Sequence, residues 1–345
     1  MAVATIDDVA ELAGVSIKTV SRVVNREPNV RGSTREKVEA AIAELNYRPN
    51  KAARNLASHH SHLIALIYDD PSAYKIPSAG YVVSMQQGAL TVCREENYEL
   101  VIHPCRFRDR DVAAELQALL GGVRPDGIIL AAPLSNLLKI GRVIEATGIP
   151  LVRISPGKRS GGKPKVATND WTVSAEMTRY LYSLGHRRVA FIKGHPDHRA
   201  VGNRFRGYCE GLEQCGLKLS EQFVLDGDNS VGSGEAAAMK LLTRKRRPTA
   251  IFAANDDMAA GVIRVADRLG IDVPGQLSVA GCDDIALAQQ IYPALTTINQ
   301  PLKAMAERAT RSIIEMIRTG HIENDSVIIP ATIVVRESTG PAPVE

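Results

Sequence analysis

The sequence predicts an α/β protein in which a small N-terminal helix-turn-helix module precedes a large body of two parallel sheets flanked by helices. With 345 residues, the chain is too long for one small domain. Apolar residues in the first sixty positions recur at helical spacing. From Ser61 onward, short apolar segments alternate with amphipathic segments, a pattern typical of parallel strands covered by helices on both faces. The number of these units implies two sheets.

The first two helices of the module are predicted from capping residues and apolar spacing. Thr5 and Asp8 form a capping box at the start of the first helix. Gly14 allows a tight turn, and Ser16 can cap the second helix. The inward stripes of the two helices are Ile6, Val9, Ala10 and Ala13, followed by Val20, Val23 and Val24.

A third helix completes the module. Ser33 and Glu36 form a second capping box, and an apolar stripe follows them. This stripe can close a three-helix core over the first two helices. Its members are Val38, Ala41, Ile42 and Leu45.

The outward face of the second helix carries polar side chains at helical spacing. They are donors suited to base edges and to phosphates. Taken alone, such a face is more often the solvated side of a small helix, but the three-helix context favours nucleic-acid binding. The residues are Lys18, Ser21, Arg22 and Asn25.

The motifs of this module resemble the DNA-binding headpiece of the LacI/GalR family of bacterial transcription regulators. The similarity is carried by Asp8–Asn25, Thr34–Val38 and Leu45–Asn50, and it extends over nearly the whole chain. The resemblance implies a headpiece over 1–46, a hinge helix or linker over 47–60, and an effector-binding and dimerisation domain over 61–345.

The resemblance also assigns DNA contacts. Ile17, Lys18 and Arg22 occupy the family's base-reading positions, and the apolar Ile17 suggests contact with a thymine methyl group. One headpiece makes few base contacts, so we expect a homodimer on double-stranded palindromic operator DNA. A dimer is also favoured over a tetramer because no heptad tail follows the body. Phosphate contacts are expected from Ser16, Thr19, Ser21, Asn25 and Thr34.

Residues 47–60 connect the module to the body. Pro49 stops upstream structure and Asn50 can cap a short helix, which would be marginal in water at fewer than about twelve residues. By this reasoning alone the segment is a plain linker. The resemblance implies a hinge helix that forms on operator DNA, with Leu56 as an apolar wedge in the minor groove.

The elements of the body are predicted from short apolar runs and amphipathic stretches. Strands are predicted at Leu63–Tyr68, Tyr98–His103, Gly127–Ala131, Leu151–Ile154, Val189–Ile192, Phe223–Leu225, Ala250–Ala253, Ser278–Gly281 and Thr332–Val335. Helices are predicted at Val82–Glu95, Val112–Leu120, Leu137–Ala146, Val173–Leu184, Arg199–Cys215, Gly234–Leu242, Asp256–Leu269 and Leu302–Ile317.

The resemblance implies that this body has the two-lobed, type I periplasmic-binding-protein-like fold. The chain would cross between the lobes three times, with the third crossing starting near Thr297–Gln300. Because open α/β sheets bind ligands at the carboxyl ends of their strands, the cleft between the sheets is the expected effector site. The first lobe would comprise about 61–167 and 300–325, and the second about 168–299 and 326–345.

Three positions of the second lobe stand out near strand ends. Arg204 lies on the helix after the motif Gly194–Asp197, and Asn255 and Asp283 each follow a predicted strand. The resemblance implies that Arg204 and Asp283 hydrogen-bond the effector, and that Asn255 does so as in many sugar-binding members of the family. Carboxylate and amide groups beside a forked guanidinium suit the adjacent hydroxyls of a polyol.

The remaining effector-site candidates depend on loop lengths. Tyr74 can stack on a sugar ring, whereas Trp171 is equally a sugar platform or a packing residue. The candidates in this group are Asp70, Ser72, Tyr74, Asp170 and His198.

Composition and motifs narrow the functional class. The chain is 45% hydrophobic and 23% charged, with a net charge of +4, which is ordinary for a globular protein. The sequence shows neither a signal peptide nor an apolar run of membrane length, so a cytoplasmic location without a membrane partner is expected. The five cysteines lack Cys-x-x-Cys or clustered Cys/His spacing, so neither disulfides nor a metal site are expected. Without a visible nucleophile–base pair, we expect no enzymatic activity and no cofactor.

Together with these patterns, the resemblance implies a dimeric repressor of carbohydrate uptake or catabolism genes, whose operator affinity is controlled by a small sugar-type effector. A purine- or nucleoside-responsive regulator of the same family is the alternative. A free sugar-binding protein would need a signal peptide and no headpiece, and an enzyme in the same body would need a catalytic constellation. Effector binding would act through cleft closure and the hinge, and the sequence leaves open whether it releases or recruits the protein.

Overall fold

The computed structural model describes residues 4–24, 28–47, 60–70, 79–107, 109–157, 164–196 and 198–344. The chain divides into two compact units, Met1–Ser61 and His62–Glu345. Most of the expected hinge helix lies outside the described residues, as do four of the predicted site residues: Asn25, Leu56, Ser72 and Tyr74.

Three short helices form the described part of the first unit, and their apolar stripes meet in one core. Val9, Val20 and Val38, one from each helix, are fully buried. Ile42 and Leu45 pack against them. The predicted helix-turn-helix and its third helix are therefore confirmed. The helices are α1 (Ile6–Ala13), α2 (Ile17–Val24) and α3 (Gly32–Glu44).

The ends of α1 and the start of α2 are capped as predicted. The backbone N–H of Asp8 donates to the Thr5 hydroxyl, and the N–H of Thr5 donates to the Asp8 carboxylate at 2.7 Å. Gly14 ends α1 in the left-handed conformation, with φ of 62°. The hydroxyl of Ser16 then accepts a hydrogen bond from the N–H of Thr19 at the start of α2.

The predicted capping box at Ser33 and Glu36 is wrong. α3 begins at Gly32, and its N-cap residue is Arg31, which makes no side-chain capping bond. An N-cap residue needs extended backbone, and Arg31 has it whereas Ser33 already lies in the first helical turn.

The first sheet of the second unit has six strands. They are β1 (Leu63–Asp69), β2 (Glu99–Cys105), β3 (Gly127–Leu130), β4 (Leu151–Ile154), β5 (Lys165–Ala167) and β11 (Ser326–Ile328). Their order is β11-β5-β4-β3-β1-β2, and every neighbouring pair is parallel.

The second sheet also has six strands. They are β6 (Val189–Ile192), β7 (Val224–Leu225), β8 (Ala250–Ala253), β9 (Ser278–Asp283), β10 (Thr296–Asn299) and β12 (Thr332–Val334). Their order is β12-β10-β9-β8-β6-β7, and only β12 runs antiparallel to its neighbour. The prediction of two parallel sheets is confirmed.

Helices cover both faces of the first sheet and pack against the second. Two of them, α4 (Gly80–Glu95) and α12 (Leu302–Thr319), pack on one face of the first sheet, and α5 (Val112–Val123) and α6 (Leu138–Glu145) pack on the other. The helices associated with the second sheet are α7 (Asp170–Ser183), α8 (Arg199–Gln214), α9 (Val231–Leu242), α10 (Asp256–Arg268) and α11 (Ala286–Gln290). Short 3₁₀ turns lie at Leu134–Asn136 and Glu221–Phe223.

The chain crosses between the sheets three times, which defines two lobes. The crossings lie between β5 and α7, between β10 and α12, and between β11 and β12. The crossing after Thr297–Gln300 is therefore the second in chain order, whereas the sequence analysis numbered it third. Ser326–Ile328 belongs to the first lobe instead of the second, because it pairs with β5.

Most elements lie close to where the sequence predicts them, among them the short β7 and β12, but four other short elements are exceptions. β5, β10, β11 and α11 each contain only three to five residues, and none was predicted. Such segments are too short to show a period, and they are held by neighbouring elements of the sheet.

Two further expectations concern the cysteines and the membrane. All five cysteines are free thiols. Within the described ranges, no helix is both long enough and apolar enough to span a bilayer.

α7 and α8 pack closely because glycines line their contact. A Cβ atom at Gly207 would lie 2.1 Å from the carbonyl oxygen of Trp171 and 2.8 Å from Cβ of Ser174. A Cβ at Gly211 would lie 2.6 Å from Cβ of Thr178. The two helices therefore approach at a distance that tolerates no side chain at these positions.

We predict that Gly207→Ala lowers the free energy of unfolding by about 1–3 kcal/mol, because the added methyl group overpacks this contact. Gly202→Ala on the same helix is the control, since a Cβ there meets nothing within 4 Å. This control should gain up to about 1 kcal/mol through lower backbone entropy of the unfolded chain. Urea denaturation measures both values, and equal stability of the two variants would contradict the packing argument.

Candidate functional site

A cleft in the second unit is lined by residues of both lobes, where the sequence predicts it. The lining includes Arg204, Asn255, Asp283 and His198, all of which were predicted. The first lobe contributes Tyr68, Asp69, Tyr81, Val82, Ala132 and Pro133. The second lobe contributes His198, Val201, Arg204, Asp228, Asn229, Ser230, Asn255, Asp257 and Asp283.

Arg204 is the central cation of the cleft. Its side chain is 3% exposed, and Nε donates a hydrogen bond to Oδ1 of Asp170 at 2.9 Å. Nη1 donates to the carbonyl oxygen of Ala254, and it lies 3.3 Å from Oδ1 of Asp283. The guanidinium is thus held by α7 and by the carboxyl ends of β8 and β9.

Asp283 is the last residue of β9 and lines the cleft directly. Its carboxylate accepts a hydrogen bond from the side-chain amide of Gln300 at 2.6 Å. Burial raises the pKa of Asp283, and the Arg204 guanidinium opposes this shift. Asp283 and Asp284 both have positive φ angles, 127° and 54°, so the backbone leaves the strand in a conformation that is unusual outside glycine.

Asn255 has two structural bonds in addition to its place in the cleft. It is the N-cap of α10, where Oδ1 accepts the N–H of Met258 at 3.0 Å. Nδ2 donates to the carbonyl oxygen of Asn229 at 2.9 Å. An amide has two acceptor sites and two donor hydrogens, so one of each remains for a ligand.

His198 lies at the entrance to α8 and faces the first lobe. Its ring is partly exposed, yet Nδ1 is buried without a hydrogen-bond partner among the described residues. The ring meets Tyr81 of the first lobe edge-on, with 6.5 Å between centroids. Burial and the nearby Arg204 guanidinium lower the pKa of His198 to about 3, so the imidazole is neutral.

The two lobes touch on either side of the cleft. Phe107 of the first lobe meets His195 of the second edge-on, with 5.3 Å between ring centroids. Burial and the carboxylate of Asp283, on the opposite lobe, raise the pKa of Tyr81. The contacts show that the cleft is narrow enough for one small molecule to reach both lobes.

Several lining residues were missed by the sequence analysis. Asp69 ends β1, and Asp228–Ser230 follows β7, so the rule that ligands bind after strand ends would have found both. Burial acts to raise the pKa of Asp228, but hydrogen bonds from Ser230 and Ser233 outweigh it and the pKa is lowered. Tyr81 gave no such signal, because it lies on a helix.

Two predicted contacts are placed differently by the structure. Asp170 is not among the described residues that line the cleft; it lies behind Arg204 and pairs with it. Asp70 is also outside the described lining, and its carboxylate lies 3.6 Å from Arg106. Trp171 is 43% exposed on α7 and does not belong to the described lining either.

The first unit presents the predicted DNA-contacting residues on and beside α2. Ile17 is 48% exposed, a high value for an apolar side chain, and Lys18 is exposed beside it. Ser16 and Thr19 hydrogen-bond each other at 2.9 Å through their hydroxyls. The partly exposed members of the predicted set are Thr19, Ser21, Arg22 and Thr34.

We predict that His198 stays neutral between about pH 5 and pH 8 in the folded protein, since its pKa is lowered. The unfolded chain binds this proton near pH 6.5, so the contribution of His198 to stability is lost as the pH falls from there towards 3. Histidine-labelled NMR spectra, assigned with His198→Gln, measure the titration. A His198 resonance that titrates near pH 6.5 in the folded state is the contrary result.

Family models match both units. Residues 5–50 match the bacterial regulatory proteins of the lacI family, and residues 178–339 match the periplasmic binding protein-like domain. The HTH-type transcriptional repressor PurR of Erwinia tasmaniensis is 32% identical over 341 residues, covering 99% of this chain and 98% of that protein. PurR of Yersinia enterocolitica is 32% identical over 342 residues, with the same coverage.

Solved structures agree with this assignment. The lac repressor dimer bound to operator and the anti-inducer ONPF superposes with a TM-score of 0.84 at 28% identity, covering 98% of this chain and 100% of that one. The transcriptional regulator CelR in complex with cellobiose has a TM-score of 0.74 at 30% identity, covering 97% and 99%. The chain therefore belongs to the LacI family of bacterial regulatory proteins, as a DNA-binding transcriptional repressor.

Proposed function

We propose that this repressor binds a small ring-shaped effector in the cleft between its lobes, and that the effector sets its affinity for operator DNA. The observation that carries the proposal is the Arg204–Asp283 pair, a buried cation and carboxylate 3.3 Å apart at the cleft wall. Few but converging polar groups in a cleft are typical of a small-molecule site.

The polar lining favours a ligand rich in hydrogen-bond donors. Four carboxylate side chains line the described part of the cleft, those of Asp69, Asp228, Asp257 and Asp283, and carboxylates accept hydrogen bonds from hydroxyl and ring N–H groups. Arg204 supplies the forked donor for one or two acceptor atoms of the ligand. Both purine-type compounds and sugars meet this description.

A purine- or nucleoside-type effector is the first candidate, in place of the sugar expected from the sequence. The curated relatives that are similar over nearly the full length are named PurR. This name agrees better with a purine-type effector than with a sugar. The aromatic rings of Tyr68, Tyr81 and His198 at the cleft add flat surfaces against which a planar base can pack.

A sugar is the second candidate. The observation that favours it is the similarity to CelR in its cellobiose complex. The carboxylate, amide and guanidinium groups of the cleft also suit the vicinal hydroxyls of a sugar, and the ribose of a nucleoside carries the same groups.

On the DNA side, we propose that two copies of the chain bind one palindromic operator. Ile17, Lys18 and Arg22 would contact base edges from α2, and Ser16, Thr19, Ser21 and Thr34 would contact phosphates. The similar lac repressor structure is a dimer bound to operator, which supports this stoichiometry.

Effector and operator are linked through the two lobes. An effector that contacts both lobes stabilises one lobe arrangement, and it changes operator affinity only by its differential affinity for the two arrangements. Whether an effector strengthens or weakens operator binding identifies it as a corepressor or an inducer.

We predict that Asp283→Asn weakens effector binding by about 10- to 100-fold, because it removes a charged acceptor from the cleft. Isothermal titration calorimetry with purine bases, their ribonucleosides, and mono- and disaccharides measures affinity for each class. Asp226→Asn is the control, since that carboxylate is 90% exposed. The proposed site would be refuted if the two variants bound the effector with equal affinity. It would also be refuted if the natural protein bound neither purine-type compounds nor sugars.

We predict that Arg22→Ala weakens binding to the operator by about 1–3 kcal/mol more than binding to unrelated DNA. The reason is that a contact with a base edge contributes to binding only at the correct sequence. Thr34→Val, at a proposed phosphate contact, should weaken binding to both DNAs alike. Fluorescence anisotropy compares a duplex selected by the natural protein from a random library with an unrelated duplex. Equal losses on both duplexes for Arg22→Ala would contradict its base-reading role.

A further inference from the structure

A second group of chemically active side chains lies on the first lobe, outside the described lining of the effector cleft. His103 and Cys105 lie two residues apart on β2, and Glu115 lies in the first turn of α5. One potential ligand atom from each residue lies within 4.8 Å of the other two. We propose that His103, Cys105 and Glu115 bind a zinc ion.

The backbone explains why these residues converge. Side chains two residues apart on a strand point to the same face of the sheet, so His103 and Cys105 share one face of β2. Glu115 approaches from α5, and its Oε1 lies 3.1 Å from Nε2 of His103. β2 is the edge strand of the first sheet, so the group is at the border of the lobe.

The separation of His103 and Glu115 is close to that of two ligand atoms in a tetrahedral zinc site. With zinc–nitrogen and zinc–oxygen distances of about 2.0–2.2 Å, a tetrahedral angle separates the two ligand atoms by about 3.4 Å. The His103–Glu115 separation of 3.1 Å is similar, and rotation of the partly exposed Glu115 side chain, which is 43% exposed, allows the small adjustment. Cys105 is 1% exposed, and its sulfur lies within 4.8 Å of the ligand atoms of the other two residues.

The donor atoms are those that zinc prefers. One imidazole nitrogen, one sulfur and one carboxylate oxygen form a mixed N/S/O set, in contrast to the oxygen-only sets of magnesium and calcium. Three protein ligands with partial exposure leave the fourth tetrahedral position to water. No metal was expected from the sequence, because the cysteines lack Cys-x-x-Cys or clustered Cys/His spacing. In the structure, the third ligand, Glu115, comes from a separate element.

The site would act on the contact between the lobes. Cys105 is the register partner of Asp69, a cleft-lining residue, and the N–H of Phe107 donates to the Asp69 carboxylate at 3.3 Å. Phe107 packs on His195 of the second lobe. Zinc at the end of β2 therefore fixes the strand that leads into this contact.

The test uses the full-length, reduced, chelator-treated protein without an affinity tag. Titration with zinc should give one tight equivalent per chain and a higher melting temperature. Titration with cobalt should give a sulfur-to-cobalt charge-transfer band together with the visible bands of tetrahedral cobalt. Cys105→Ser and Glu115→Gln should each weaken zinc binding by at least about 100-fold.

Cys209→Ser is the matched control, because it removes a partly buried thiol far from this group in the chain, on α8. It should retain both the affinity and the charge-transfer band. Circular dichroism and urea denaturation establish whether each variant folds. If Cys105→Ser does not fold, Glu115→Gln still tests the proposal, because Glu115 is exposed. No tight equivalent in the natural protein, or unchanged binding in Glu115→Gln, would overturn the proposal.

Discussion

The buried guanidinium of Arg204 is the constraint on which the effector cleft depends. A cation that is 3% exposed is compatible with the folded state only if it is paired and hydrogen-bonded. Asp170, the carbonyl oxygen of Ala254 and Asp283 meet this requirement together. They come from the start of α7 and the ends of β8 and β9, so one side chain holds three segments in register. The polar groups of the second-lobe half of the cleft are therefore held in place by bonds within the protein itself.

Asp283 extends this constraint to the segments that join the lobes. It accepts the side-chain amide of Gln300, which lies in the second crossing. The neighbouring Asp284 accepts hydrogen bonds from Asn299 at 2.7 Å and from Arg336 at 2.6 Å. Asn299 ends β10 at the start of the second crossing, and Arg336 follows β12, so Asp284 ties this crossing to the segment after β12. Under the proposed function, a ligand on Asp283 would act on residues that connect the lobes, which offers a physical route from binding to lobe movement.

Part of the candidate site could be predicted from the sequence by a local rule, whereas Arg204, on a helix, was predicted from the family resemblance. Asn255 and Asp283 follow buried strands, and the carboxyl ends of parallel strands meet at one edge, so their place in the cleft followed from position alone. Asp170 was a candidate whose placement depended on loop lengths, and it pairs with Arg204, because a sequence does not show whether a carboxylate faces a ligand or a neighbouring side chain. Tyr81 was missed because a helix residue reaches the cleft only through the packing of its whole helix.

Local patterns were sufficient to predict the three helices of the first unit and the longer strands and helices of the second, because burial of one face imposes a period within a single segment. They were not sufficient for β5 and β11, which have three residues each and are stabilised by pairing with strands distant in sequence. The same pairing decided that Ser326–Ile328 lies in the first lobe. His103, Cys105 and Glu115 likewise come together only because β2 and α5 pack side by side. Periodicity is a property of one segment, whereas pairing and side-chain convergence depend on contacts between segments.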